Sequence, residues 1–218
     1  MPDFTWSFSS LKEYINCPRQ YHECRVLQGR EKKVSQQMIY GTEVHKALED
    51  YVELGTPLAK NYEQFKAVVD ELIAIPGTKY PEYKMALYRD KAPCGFDDAN
   101  RWVRGIVDLL IVDGSNAFIV DYKTGSDRFA DTKQLRLMAL MAFANFPEVT
   151  NVKAGLLFLL RGTFIAEEYD REDIDSSWEH FTLPLARIQN SFDTDTWVPN
   201  PTPLCRFCPV NECEFHRS

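Results

Sequence analysis

Gly105-Ile-Val-Asp108-Leu-Leu-Ile-Val-Asp113-Gly114-Ser115-Asn116-Ala-Phe-Ile-Val-Asp121-Tyr122-Lys123-Thr-Gly125 reads as two strands joined by a tight turn. β-rich runs on both sides of Gly114-Ser115 suit a two-residue hairpin turn with glycine at its first central position. That turn sets Val112 opposite Ala117, and counting outward sets Asp108 opposite Asp121. Opposed residues of an antiparallel pair share a face with Cβ atoms about 4.5–5.5 Å apart, and the period of two brings Lys123 to the same face. A three-residue loop would slip the register by one and turn one acid away.

Ile106, Val107, Leu109, Leu110 and Ile111 surround the first acid, and Phe118, Ile119 and Val120 precede the second. A carboxylate in such company is costly to desolvate, and two so close repel each other. A divalent cation relieves both penalties. Mg2+ takes carboxylate oxygens, keeps several waters and bridges to substrate phosphate, and the water it holds is a better nucleophile at neutral pH. Lys123 can orient or deprotonate that water, or offset charge on the phosphate. The other reading of these residues is a structural Asp–Lys pair at a sheet end.

Around the hairpin the pattern predicts an α/β fold, a central mixed sheet flanked by helices. Ser10-Leu-Lys-Glu13 has the form of a capping box, so a helix is expected to start there with Leu11, Tyr14 and Ile15 on its buried side, interrupted soon after by Pro18. A second helix is expected over about 42–54, with Val44, Leu48 and Tyr51 as its apolar stripe, Gly55 as its stop and His45 in its first turn. A third covers about 61–75, before Pro76-Gly77. Strand-like runs lie at 83–88, 102–112, 117–123, 153–160 and 163–169, with an amphipathic helix near 132–144 between the third and fourth. A last helix, about 175–189, leads through Pro199, Pro201 and Pro203 to Cys205, Cys208 and Cys213.

Gly105-Ile-Val-Asp108 and Asp121-Tyr-Lys123 resemble the two core motifs of the PD-(D/E)xK nuclease superfamily. Tyr40-Gly-Thr-Glu-Val-His45 resembles the upstream helix motif of its RecB-like branch, which includes the nucleases of CRISPR adaptation. Together the motifs span about residues 7–216. The resemblance implies a restriction-endonuclease-like core that cuts DNA, with Asp108, Asp121 and Lys123 as catalytic residues and Gln134 as a supporting glutamine one helix later. It also implies that His45 joins Asp108, Asp121 and the Tyr122 backbone carbonyl as ligands of Mg2+ or Mn2+, whereas a helix-face histidine by itself is more often structural. Gln134-Leu-Arg-Leu-Met138 departs from the branch, which often carries tyrosine where Met138 stands. Glu82, expected just before the first strand, matches an acid that the branch often carries there.

Six cysteines in a chain expected to be cytoplasmic point to metal ligation rather than disulfides. Cys205-Arg-Phe-Cys208-Pro-Val-Asn-Glu-Cys213 supplies three thiols and Cys17 can supply a fourth from the other end of the chain. Zinc and an iron–sulfur cluster both accept four thiolates, and the spacing does not separate them. The RecB-like resemblance implies a [4Fe–4S] cluster on Cys17, Cys205, Cys208 and Cys213, with zinc, for which His216 is a candidate ligand, as the alternative. Cys24 and Cys94 are expected to be small buried hydrophobes.

A length of 218 residues with 44% apolar and 13% aromatic side chains suits one core. The expected organisation is a single nuclease domain over 1–218, in which 1–35 and 199–218 join as a metal-cluster subdomain and 36–198 form the nuclease core. No stretch approaches the roughly 18 apolar residues of a membrane span, and MPDFTWSFSS lacks the plan of a secretion signal, so no membrane partner is expected. A net charge of −7 excludes binding of nucleic acid by a bulk positive field, and any DNA contact must be local. Lys12, Arg19, Arg25, Arg30, Lys32 and Lys33 outnumber Glu13, Glu23 and Glu31 over residues 12–33, which makes Arg19 and Arg25, with Arg104 near the hairpin, the expected DNA contacts. A solvated helix face explains the same run.

Two function classes follow from these features. One is a metal-dependent exonuclease acting on single-stranded DNA or DNA ends. The other is a DNA-end-binding or partner-binding subunit of a helicase–nuclease or CRISPR-adaptation-like assembly, whose motor would be another protein because the chain has no Walker-type phosphate loop. Retention of His45, Asp108, Asp121 and Lys123 favours the first.

Overall fold

The structure is a computed structural model that describes residues 4–30 and 34–216, apart from the side chain of Phe129. Glu31, Lys32 and Lys33 of the basic run lie outside the described residues. The chain divides into two compact units, Met1–Ser35 with Trp178–Ser218, and Gln36–Ser177.

The second unit is built on a six-stranded mixed sheet. Its strands are β1 (Thr78–Leu87), β2 (Pro93–Cys94), β3 (Val103–Asp113), β4 (Asn116–Lys123), β5 (Asn151–Phe158) and β6 (Thr163–Asp170), in the order β2-β1-β3-β4-β5-β6. Only β4 and β5 run parallel, and the crossover that such a pair requires carries a helix, α5 (Lys133–Asn145). The β3–β4 hairpin turns on Gly114-Ser115 with Gly114 at φ +56°, a left-handed value that glycine adopts at little cost. Val112 pairs with Ala117 and Leu109 with Val120, the register expected of a two-residue turn.

Two helices cover one side of this sheet. The first, α3 (Gln36–Leu54), buries Val44 and Leu48, and α4 (Lys66–Ala74) buries Val69 and Leu72. These side chains share one apolar cluster with Phe65, Leu109, Ile111, Val120 and Leu157. At about 1.5–3 kcal/mol for each fully buried large side chain, this cluster is a principal anchor of the hairpin. The helix α3 begins well before Thr42, because its exposed first turn carries no apolar stripe to announce it, so His45 sits in the third turn rather than the first. Strand β1 also begins early and runs through Pro81. Proline is tolerated there because β2 pairs only with Ala86 and Leu87, which leaves the outer edge of β1 free beside Pro81.

The first unit contains α1 (Phe8–Asn16), α2 (Pro18–Tyr21), a π-helical stretch His22–Val26 and most of α6 (Ile174–Thr194). The capping box lies three residues earlier than expected: Ser7 is the N-cap, and Ser10, at the third helical position, accepts from the Ser7 backbone N–H at 2.9 Å. Leu11 and Tyr14 are buried, but Ile15 is 53% exposed, contrary to expectation. Pro18 opens α2, a place where its missing N–H costs nothing. Tyr14, Tyr21 and Ile188 form a small core with Phe4, Phe192 and Trp197 packed around them. Among the described residues no helix is long and apolar enough to cross a membrane.

Candidate active site

The packing of α3 on the sheet brings His45 to β3, where its Nδ1 lies 2.9 Å from Asp108 Oδ1. The other Asp108 oxygen accepts from the backbone N–H of Tyr122 on β4. The regular β3–β4 ladder has ended one residue earlier, at Leu109–Val120, so the Asp108 side chain takes over a backbone donor of the neighbouring strand. Asp121 therefore stands one step beyond the last hydrogen-bonded pair, as Asp108 does on its own strand. The Tyr122 ring turns the other way and meets the His45 ring edge-on at 6.0 Å.

Asp121 is 8% exposed and forms an ion pair with Lys123. The Lys123 ammonium lies directly against Asp121 Oδ2, an oxygen buried from solvent. Burial pushes the Asp121 pKa up to about 6, Lys123 opposes the rise, and the Asp108 charge adds to it. Burial acts on His45 in the direction of a lower pKa, yet the Asp108 hydrogen bond and the charges of Asp108 and Asp121 outweigh it and the net shift is upward.

Glu82 lies inside β1 rather than before it. Pro81 faces Leu109 and Tyr83 faces Val107, so Glu82 stands opposite Asp108 at the one rung missing from this stretch of the ladder. Its φ of +45° is left-handed, a conformation that a residue with a Cβ resists. Burial raises its pKa, with Asp108 and Glu49 adding to the rise and His45 and Lys84 opposing it. Glu82, Asp108 and Asp121 thus form a row of acids across three adjacent strands. Glu49 was not foreseen; its position one helical turn after His45 on α3 was the signal available.

Gln134 is the second residue of α5, and its Nε2 is buried without an acceptor. Arg19 and Arg25, expected at phosphates, are held by Glu23 and Glu13. Arg104 leans instead on the ring of Phe96, with 5.3 Å from its guanidinium carbon to the ring centroid.

In the first unit Cys17, Cys205, Cys208 and Cys213 line one small cavity, together with His216. The Asn200 N–H donates to Cys17 Sγ at 3.4 Å and the Thr202 N–H to Cys205 Sγ at 3.3 Å. Burial raises the Cys208 pKa, and the other three thiols add to the rise. None of the six cysteines is in a disulfide, and Cys24 and Cys94 are half-exposed rather than buried. As placed, no three His, Cys, Asp or Glu side chains among the described residues close on a point that could hold a metal ion.

A sequence profile of the PD-(D/E)XK nuclease superfamily matches residues 5–213. Among curated proteins none matches significantly. Similar solved structures include a candidate exonuclease from Eubacterium rectale, with a TM-score of 0.55 and 13% identity over 98% of this chain and 87% of that one. SSO0001 is similar too, with a TM-score of 0.51 and 13% identity over 98% of this chain and 88% of its own. At such identities the likeness is one of fold.

Proposed function

Because the chain belongs to the PD-(D/E)XK nuclease superfamily, we propose that it is a deoxyribonuclease dependent on Mg2+ or Mn2+, hydrolysing phosphodiester bonds from the ends of single-stranded DNA. The observation that carries this proposal is the meeting of His45 from α3 with Asp108 from β3, beside the Asp121–Lys123 pair of β4. Carboxylate oxygens with one imidazole suit a hard divalent ion, and the buried Asp121 carboxylate beside them adds oxygens of the same kind. His45, Asp108, Asp121 and the Tyr122 carbonyl would hold it. When bound, such an ion supplies a water of lowered pKa and neutralises charge on the phosphate.

The protein's own groups do the rest. His45 Nδ1 and Asp108 Oδ1 face each other at 2.9 Å, a separation at which both atoms can ligate one ion once the ring is neutral. The Tyr122 N–H fixes the Asp108 carboxylate, so the ligand does not have to be ordered when the substrate arrives. Lys123 Nζ offsets negative charge growing on the phosphate oxygens or holds the attacking water. Gln134 offers a buried amide donor, and its place after the hairpin, with His45 before it, supports the RecB-like branch and its relation to CRISPR-adaptation nucleases.

The four thiols lining one cavity support a [4Fe–4S] cluster on Cys17, Cys205, Cys208 and Cys213, with zinc as the alternative. The donor set fits either, and N–H groups aimed at Cys17 and Cys205 stabilise thiolates. Residues 1–35 and 199–218 would then be the cluster subdomain and 36–198 the nuclease core, in a protein kept in a reducing compartment.

The decisive assay follows end-labelled single- and double-stranded DNA with Mg2+, with Mn2+ and in excess chelator. Progressive loss of label with either metal and none in chelator is expected. Failure to degrade any DNA with both metals, or undiminished cleavage in chelator, would remove the proposal.

A further inference from the structure

Lys84 of β1 and Arg104 of β3 lean on the same ring, with Lys84 Nζ 5.8 Å and the Arg104 guanidinium carbon 5.3 Å from the centroid of Phe96. The two cations are diagonal neighbours, since Lys84 pairs with Ile106 and Arg104 with Ala86. Among the described residues neither forms an ion pair with a carboxylate. Other cations differ: Arg25 is held by Glu13, Lys153 by Glu168 and Arg161 by Asp127. Two like charges brought to one ring repel, and the ring returns only about 0.5–1 kcal/mol per cation at an exposed site. An anion beside both would turn that repulsion into attraction.

Position says which anion. Lys84 is two residues beyond Glu82 on β1 and Arg104 four residues before Asp108 on β3, so at about 3.3 Å per residue they stand roughly 7 and 13 Å along the sheet from the row of acids. The Lys84 charge is felt by the Glu82 carboxyl, which in turn feels Asp108, so Lys84 adjoins the site and Arg104 extends from it along the sheet. A chain with net charge −7 can hold a polyanion only through local cations such as these. We propose that Lys84 and Arg104, set by Phe96, grip the phosphates of the DNA strand next to the scissile bond. The contact is to the backbone and carries no base preference. This inference rests on the nuclease proposal above and extends it to how the strand is held.

The test uses the full chain carrying Asp121→Asn, in Mg2+, and a fluorescein-labelled single-stranded oligothymidylate titrated at several salt concentrations. Lys84→Ala and Arg104→Ala should each weaken binding and reduce the slope of log K against log salt by about 0.7, the increment for one phosphate contact on a single strand. Phe96→Leu should weaken binding with both charges retained, and Phe96→Tyr, which keeps a ring, should restore it. Unchanged affinity and slope in both alanine variants would overturn the inference while leaving the nuclease proposal standing, because the parent would still bind the strand. Absence of binding by the parent, together with absence of cleavage by the wild-type chain in either metal, would overturn both.

Discussion

His45 Nδ1 lies 2.9 Å from Asp108 Oδ1, and this contact joins the third turn of α3 to the middle of β3. Without a metal, the carboxylates make His45 a better base than its burial alone would allow. To serve as a ligand the ring must be neutral and Asp121 ionised, so the arrangement that attracts a cation first attracts protons. Divalent-ion binding should therefore release protons and strengthen as pH rises.

Asp108→Asn, Asp121→Asn and Lys123→Ala should each lower cleavage of end-labelled DNA by about a hundredfold or more, the scale of losing one charged group at a transition state. Circular dichroism should show all three folded, since the hairpin is held by its apolar cluster. Cleavage by Asp121→Asn at the wild-type rate would end the assignment of that residue.

The metal-free protein should show an unusual pH response. The Asp121 pKa is raised from 3.8 to about 6, so the folded state binds that proton more tightly than the unfolded chain. Stability should then fall as pH rises through this window and stay lower above it. His45 acts in the same direction: its raised pKa contributes stability below about 6.5 that is lost as pH climbs through the folded value. Asp121→Asn removes the first term, on the order of 3 kcal/mol for a shift of this size. The variant should melt higher than wild type in chelator at pH 8 and close to it at pH 4. Taking the difference between the two proteins cancels carboxylates whose pKa is lowered, such as Asp98 and Glu167. Identical melting of the two at pH 8 would mean that Asp121 is not a buried charge.

The hairpin was legible because Gly114-Ser115 sets a two-residue turn, and that turn sets every pair outward to Leu109–Val120. Beyond this pair the sequence rule stopped applying, because Asp108 gives up ordinary pairing to accept from Tyr122 N–H. Alternation does not encode such a departure. Nor does it encode the left-handed backbone of Glu82, since glutamate carries no signal for positive φ. The basic run at 12–33 shows a different limit. Composition counts charges, whereas Glu13 and Glu23 pair with Arg25 and Arg19 in space.

Glu82 offers a separation of backbone from side chain. Its φ of +45° costs a residue with a Cβ roughly 1–2 kcal/mol that glycine does not incur. Glu82→Gly should therefore be more stable than Glu82→Ala by about 1 kcal/mol in urea unfolding without metal. Both variants lose the carboxylate, so both should bind Mg2+ more weakly if Glu82 assists the ion. Equal stabilities of the alanine and glycine variants would show that this backbone is not left-handed in solution.

The cysteines give a prediction about stability rather than chemistry. Cys17 lies near one end of the chain and Cys205, Cys208 and Cys213 near the other, yet all four line one cavity of the first unit. A group bound there closes a loop of almost the whole chain, which restricts the unfolded state strongly, and affinity for a site formed only on folding acts as folding free energy. The local core it would reinforce is small, built on Tyr14, Tyr21 and Ile188. Protein purified without oxygen should be brown, and Cys→Ala at any of the four positions should lower yield and melting temperature. The His45–Asp108 site belongs to the other unit, so whatever folded variant is recovered should keep metal-dependent cleavage. Cys24→Ala and Cys94→Ala, which change half-exposed thiols outside the cavity, should leave colour and stability unchanged. Elemental analysis discriminates between the candidate metals: iron near four atoms per chain is the expected result for a [4Fe–4S] cluster. One zinc per chain and no iron, in protein never exposed to oxygen, would reject the cluster and leave a structural zinc site on the same four thiols.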